Sequence, residues 1–232
     1  MNKRAVVLLS GGQDSATCLW WAKVAFEEVL AVSFDYGQRH AAELEAARQI
    51  ARDAGVLQHL VVEAPVLRSL GEGSALVDAS KPLQGDGGIP DAQMPQGLPT
   101  SFVPGRNLYF LTISAMFAVK CGAKDIVTGV CQTDYSGYPD CREAFIEAMQ
   151  HAVTEAMPSS VGPLRIHTPL MHMTKAETVR LAKRLGDGCW GALGKSITCY
   201  EGKRPGCGVC PSCTLRETGF RVAGFPDPGQ VA

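Results

Sequence analysis

Five apolar residues, Ala5, Val6, Val7, Leu8 and Leu9, run straight into Ser10-Gly11-Gly12-Gln13-Asp14-Ser15, and a helical spacing of apolar residues begins directly after it. The run reads as a buried strand, while Cys18, Leu19, Ala22, Ala25 and Phe26 recur at the period of a helix face. The glycine pair therefore sits at a strand-to-helix turn. There Gly11 and Gly12 let backbone N–H groups approach an anion with no Cβ in the way, and the helix start adds roughly half a positive charge. Ser10 and Ser15 add hydroxyl donors. The Walker loop would need a Lys before its Ser/Thr and the dinucleotide fingerprint three spaced glycines, so neither describes this turn. A bare structural turn is the competing reading.

Further strands are predicted at Val29–Phe34, Leu57–Val62, Asp125–Val130 and Leu164–Thr168, alternating with helical segments. This is the pattern of an α/β fold with a doubly wound, mainly parallel sheet. Leu44, Ala47, Ala51 and Ala54 mark one helix face, and Phe145, Ala148, Met149 and Ala152 mark another. Residues 108–119 are apolar almost all round, which predicts a helix sandwiched inside the fold. Thr174 with Glu177 three residues on reads as a capping box. Residues 64–105 hold six of the fourteen prolines and break the rhythm, which predicts an irregular insertion or lid. The expected division is a nucleotide-binding and catalytic domain over 1–186 and a C-terminal metal-binding segment over 187–232.

Charge narrows the partners. With a net charge of −1 the chain has no general attraction for nucleic acid. No apolar run reaches the ~20 residues of a membrane span, and the N-terminal run is short for a signal peptide. Nine cysteines are an odd number, and four of them crowd together as Cys199, Cys207, Cys210 and Cys213. That spacing favours metal binding in a reducing compartment, hence a cytoplasmic protein. Four thiolates fill a tetrahedral ion and leave no position for catalytic water, so a structural zinc is expected, with an iron–sulfur cluster as the alternative. Gly206 and Gly208 would let the backbone wrap the ion. Cys18, Cys121, Cys131, Cys141 and Cys189 show no such spacing and read as small core residues.

The SGGQDS loop resembles the SGGxDS loop of the PP-loop ATP pyrophosphatases, which cleave ATP between the α and β phosphates. Five further segments accompany it: FDYGQRHAAEL from Phe34, FVPGRNLYFL from Phe102, TGVCQTDYSGYPDCREAF from Thr128, TPLMHMTKAE from Thr168, and TCYEGKRPGCGVCPSC from Thr198. In this order, from about residue 4 to residue 220, they resemble the 7-cyano-7-deazaguanine synthase family of queuosine-precursor biosynthesis. The resemblance implies a Rossmann-like PP-loop fold that turns 7-carboxy-7-deazaguanine, ammonia and two ATP into a nitrile, releasing AMP and pyrophosphate twice. It implies ATP at the loop and a homodimer, while Mg²⁺ beside Asp14, a structural Zn²⁺ at the cysteines and no nucleic-acid or membrane partner are the expectations of the residues and charge themselves.

Carried onto this chain, the resemblance assigns ATP binding to Ser10, Gly11, Gly12, Gln13, Asp14 and Ser15, bordered by Leu9, Ala16, Thr17, Cys18 and Leu19. Asp14, Lys175 and Arg106 are the candidate catalytic residues. Each has a plainer reading: Asp14 as a helix N-cap, Lys175 as a solvated surface lysine, and Arg106 as the partner of a neighbouring acid. A guanine-like base presents adjacent N–H donors that a carboxylate accepts in pairs, which makes Asp134 and Asp140 candidates for recognition. Tyr135 or Tyr138 would stack on the base, and Arg142 would meet the carboxylate. Helix capping is the alternative for Asp140. Arg39 and His40 carry no clear role. Free ammonia is the expected nitrogen donor, because the chain has no room for a glutaminase domain and has Asn2 where a catalytic N-terminal Cys would stand. The competing readings are a tRNA-thiolating or lysidine-type PP-loop enzyme and a non-catalytic nucleotide or zinc module.

Overall fold

A computed structural model describes residues 3–38, 42–78, 100–133 and 138–230. Five parallel strands, β1 (Arg4–Leu8), β2 (Glu28–Asp35), β3 (His59–Glu63), β4 (Asp125–Val127) and β5 (Arg165–His167), form one sheet in the order β3-β2-β1-β4-β5. The helices are α1 (Gln13–Ala25), α2 (Ala42–Ala54), α3 (Pro65–Leu70), α4 (Arg106–Lys120), α5 (Glu143–Glu155), α6 (Lys175–Arg184), α7 (Asp187–Lys195) and α8 (Pro211–Ala223). The chain winds outward from β1 to β3, then returns to build β4 and β5 on the other side. The connections at the carboxyl ends of β1 and β4 therefore diverge and leave a crevice between them, the usual ligand position in such sheets.

Strand periodicity sorts side chains between two cores. Ala5, Val7 and Leu9 join one core with residues of α1, α2, α6, α7 and α8, whereas Val6 joins the other with α3, α4 and α5. With both faces covered, β1 and β2 read as continuous apolar runs. Phe220 of α8 belongs to the first core and α8 packs along α6, so the cysteine-bearing segment is fastened to the helix that begins at Lys175.

Several sequence expectations shift. The strand ending at Val127 is shorter than the predicted 125–130, because Thr128 N–H bonds His167 O at 3.0 Å and the chain then bends toward α1. In α5 the buried residues are Ile146, Met149 and Val153, while Ala148 and Ala152 are exposed. The bulkier apolar residues take the core, and the alanines are rotated out of it. Helix α4 is not sandwiched throughout, since Leu108 and Met116 are 49% and 56% exposed. Within 64–105, residues 65–70 form α3, with Pro65 supplying the fixed φ that suits a first helical position. The capping box is present: Thr174 Oγ1 accepts from Glu177 N–H, and the Glu177 carboxylate accepts from Thr174 N–H.

Gly11 shows how closely these elements meet. Its φ is +93°, and a Cβ there would lie 2.1 Å from the carbonyl oxygen of Glu43 in the first turn of α2. Glycine is thus required twice over, by backbone conformation and by space. Gly11→Ala is expected to cost about 1 kcal/mol or more and to lower the thermal midpoint by at least about 2–4 °C. Thermal denaturation checks this; an unchanged midpoint would contradict the packing described.

Candidate functional site

The chain leaves the sheet at Leu9, whose N–H still bonds Val32 O at 2.8 Å. The loop then folds on itself: Ser15 Oγ donates to Gly12 O at 2.9 Å and accepts from Gly11 N–H at 3.2 Å. Ile197 N–H bonds Gly11 O at 3.0 Å, pinning the loop to the strand of chain that leads into the cysteine cluster. Gly12 is the N-cap of α1 and no side chain caps that end. Asp14 is therefore not the cap, and no side chain caps the N–H groups of this first turn.

Asp14 instead pairs with Lys175, Oδ2 to Nζ at 2.5 Å, across a side-chain interface in which Lys175 is only 14% exposed. Lys175 is thus no solvated surface lysine. Its helix is started by the Thr174–Glu177 box, and a Cβ at Gly219 of α8 would lie 2.8 Å from Lys175 Cβ, so the glycine gives this lysine its room. Asp14 Oδ1 is buried without a hydrogen-bond partner, as are both polar atoms of Gln13.

Ser10, Asp14, Ser15 and Lys175 form one wall of a cavity of ≈ 360 Å³ at the carboxyl ends of β1, β2 and β4. Tyr36, Glu43, Arg106 and Tyr138 face it from the other side. Leu9 also lines it, while Ala16, Thr17, Cys18 and Leu19 are buried behind it in α1. A more open depression of ≈ 420 Å³ lies around His172, Arg180 and Arg184 and contains none of the loop residues.

Arg106 begins α4, and its guanidinium lies 5.7 Å from the Tyr138 ring centroid. Tyr36, Tyr138, Asp140 and Cys141 surround it and hold its proton more firmly than usual, against the cost of burial. Among the described residues no carboxylate lies within ion-pair distance of it. Glu43 sits nearby, its carboxyl group pushed up to about 7 by burial against the downward pull of Arg106. Cys131 and Cys141 also reach the cavity, and burial pushes the Cys141 thiol up to about 12.

The remaining candidates divide. Tyr138 O–H meets Ser101 Oγ at 2.5 Å, and its ring stacks on Phe102 with centroids 5.8 Å apart. Asp140 Oδ2 accepts from Asn107 N–H at 3.0 Å, and its carbonyl accepts from Asn107 Nδ2 at 3.2 Å. The buried aspartate thereby caps α4, not the helix that follows it. Arg142 is exposed at the start of α5 and is not part of the cavity wall. Asp134 and Tyr135, like Arg39 and His40, lie outside the described residues. Glu43, Tyr36 and the close-packed glycines Gly129 and Gly219 were not singled out by sequence. Gly129 has only spatial meaning, since a Cβ there would press on the Asp14–Ser15 backbone at 3.3 Å.

The Sγ atoms of Cys199, Cys207, Cys210 and Cys213 lie within 4.8 Å of one another. Tetrahedral coordination with ~2.3 Å metal–sulfur bonds requires sulfurs about 3.8 Å apart, and Cys207 and Cys213 stand at 3.9 Å. Backbone N–H groups of Glu201 and Cys207 point at Cys199 Sγ, both at 3.4 Å, as partners that stabilise thiolate charge. A Cβ at Gly206 would lie 2.6 Å from Cys213 Sγ, and Gly208 adopts φ +76°. Both glycines therefore serve the wrap around the sulfurs. The donor set fits a metal ion.

A glycine-built loop at the switch point of a parallel sheet, beside a largely buried Lys–Asp pair, makes this an α/β protein with an anion-binding crevice. Residues 4–224 match the family described as "Queuosine biosynthesis protein QueC", and the chain belongs to it. It is 52% identical over 229 residues to the 7-cyano-7-deazaguanine synthase of Chromobacterium violaceum, covering 98% of this chain and 93% of that protein. The synthases of Laribacter hongkongensis and Gloeobacter violaceus are 51% and 46% identical, each over 97% of this chain and over 93% and 95% of theirs. Among solved structures, a 4-thiouridine synthetase–RNA complex with bound ATP overlays with TM-score 0.49 at 18% identity, over 94% of this chain and 53% of that one.

Cys213→Ser is expected to strip bound metal and to lower the thermal midpoint, since a structural site contributes its binding free energy to folding. Elemental analysis and thermal denaturation check this. Stoichiometric metal retained by the variant would contradict a four-sulfur site.

Proposed function

We propose that this chain converts 7-carboxy-7-deazaguanine and ammonia into 7-cyano-7-deazaguanine by two successive adenylations at the Ser10–Ser15 loop. The observation that carries this reading is the meeting of the loop, the Lys175–Asp14 pair and the Arg106 guanidinium in one cavity. A carboxylate is a poor electrophile, so its oxygen first attacks the α-phosphorus of ATP and pyrophosphate leaves. Ammonia then displaces AMP to give the amide. The amide oxygen is adenylated in turn, and its departure with a second AMP leaves the nitrile.

Residue roles follow from position. The open N–H groups at the start of α1, with Ser10 and Ser15, cradle the phosphates, and Lys175 faces the charge that develops as pyrophosphate leaves. Asp14, whose Oδ1 is buried without a hydrogen-bond partner, would hold a Mg²⁺ ion, which would supply positive charge against the phosphates. Arg106, a cation with no carboxylate partner among the described residues, meets the substrate carboxylate, and Tyr138 flanks the base. Asp134 and Tyr135 complete base recognition, Arg142 stays outside the cavity wall, and Asp140 supports the site by holding α4. The four cysteines hold a structural Zn²⁺. Residues 1–186 form the catalytic unit and 187–232 its metal-clamped segment. The stretch 64–105, which contributes Leu76 to the cavity wall, acts as a lid. The protein works in the cytoplasm as a homodimer, with free ammonia as nitrogen donor and without nucleic-acid or membrane partners.

Purified protein with ATP, ammonia and the acid is expected to release two pyrophosphates for each nitrile formed. Arg106→Met is expected to raise KM for the acid about 10- to 100-fold, the worth of a lost charged hydrogen bond, with KM for ATP little changed. Pyrophosphate release indifferent to the acid would contradict the proposal.

A further inference from the structure

The reaction sheds protons from nitrogen, and the proposed function leaves open which group takes them. Ammonia that attacks an acyl adenylate must lose one proton for every amide formed. An amide that becomes a nitrile must lose both of its N–H protons while its oxygen leaves with AMP. Among the described groups lining the cavity, most are unsuited to accept these protons. Asp14 is engaged by Lys175, and Asp140, which does not line the cavity, spends its carboxylate on the Asn107 N–H. Lys175 and Arg106 are cations. Cys141 holds its proton to about 12, and burial pushes the phenols of Tyr36 and Tyr138 above their usual range.

Glu43 differs from all of these. No hydrogen bond from the described residues engages its carboxylate, and it lines the same cavity as Ser10, Ser15 and Arg106. Its place is rigid: the first turn of α2 is pressed onto the phosphate loop so closely that its carbonyl excludes any side chain at Gly11. The acid thus stands beside the loop on one side and the Arg106 guanidinium on the other. Among the described residues, the charged and titratable neighbours facing it are Arg106 from α4 and Tyr36 from the end of β2.

We propose that Glu43 is the proton acceptor for the substrate nitrogen in both halves of the reaction, an inference that rests on the function proposed above. In the first half, the ammonia nitrogen forms the C–N bond, the C–O bond to AMP breaks with its electron pair on AMP, and Glu43 takes one N–H proton. In the second half, the amide oxygen bonds the α-phosphorus, pyrophosphate leaves, and one N–H proton passes to Glu43 and then to water. The C–O bond to AMP then breaks as the remaining N–H proton passes to Glu43 and the C≡N bond completes. Arg106 matters in both halves, because its charge favours the carboxylate form that can accept a proton. A carboxylate that titrates near neutrality is also well matched to this work, being largely ionised just above pH 7 without being a negligible base.

The test uses the full-length protein with the amide as substrate, so that the protonation of ammonia does not enter the pH profile. Wild type is expected to show nitrile formation rising with pH through an acid limb near 7. Glu43→Gln, an isostere, is expected to slow nitrile formation about 10²- to 10⁴-fold and to lose the limb. It should still release pyrophosphate from ATP and the acid in a first-turnover burst. Glu43→Asp, with a carboxylate set back by one methylene, should keep the limb at an intermediate rate. It also keeps the question answerable if the glutamine variant folds poorly. Nitrile formation by Glu43→Gln at near wild-type rate, or an acid limb that persists in it, overturns the assignment. If wild type itself releases no acid-dependent pyrophosphate, the functional reading fails instead.

Discussion

The packing of the first turn of α2 against the Gly11 backbone is the contact on which the rest of this site depends. It holds a six-residue loop between two helices and the Ile197 segment, so that loop geometry does not wait for a ligand to be set. An uncapped helix start is costly to leave open in a folded protein, because its N–H groups have no intrahelical partner. Here Asp14 and Ser15 of that first turn line a cavity, and neighbouring packing fixes the turn. The same contact brings Glu43 to the loop. A single glycine thereby links the backbone of the loop to the position of this acid in the cavity wall.

The second constraint is electrostatic. Arg106 and Lys175 are both withdrawn from solvent, and they differ in what answers them. Lys175 is answered by Asp14 at 2.5 Å, whereas Arg106 is ringed by phenols and faces a glutamate that burial pushes toward its neutral form. Burying a cation without a firm counter-charge is unfavourable, and an anionic substrate relieves the cost. The cavity thus offers an anionic group a cation at Arg106 apart from the loop.

Much of this was legible in the sequence, and the limits have physical causes. The strand-to-helix turn and the Thr174–Glu177 box rest on local spacing and appear where the residues suggest, while the strands are found in order but β3 is shifted and β4 and β5 are shortened. The four-cysteine cluster was legible for the same reason, down to the roles of Gly206 and Gly208. What failed depended on distant contacts. The buried face of α5 is set by which side chains best fill the space against α4, and alanines at the same period lose to Ile146 and Val153. Asp140 looked like a recognition residue because its partner, the Asn107 N–H, lies on an element 33 residues away. Glu43 lay within one of the diagnostic segments, yet no spacing rule marks an acid whose meaning comes from a guanidinium on another helix. Gly129 and Gly219 likewise matter only through what passes beside them.

If both activations run by adenylation, both oxygens of the substrate carboxylate pass onto AMP. Turnover of acid labelled with ¹⁸O at both carboxylate positions, followed by mass spectrometry of the products, tests this directly. Every AMP is expected to carry one ¹⁸O, and pyrophosphate and water none. Label in pyrophosphate or inorganic phosphate, or label in only half of the AMP, would contradict it.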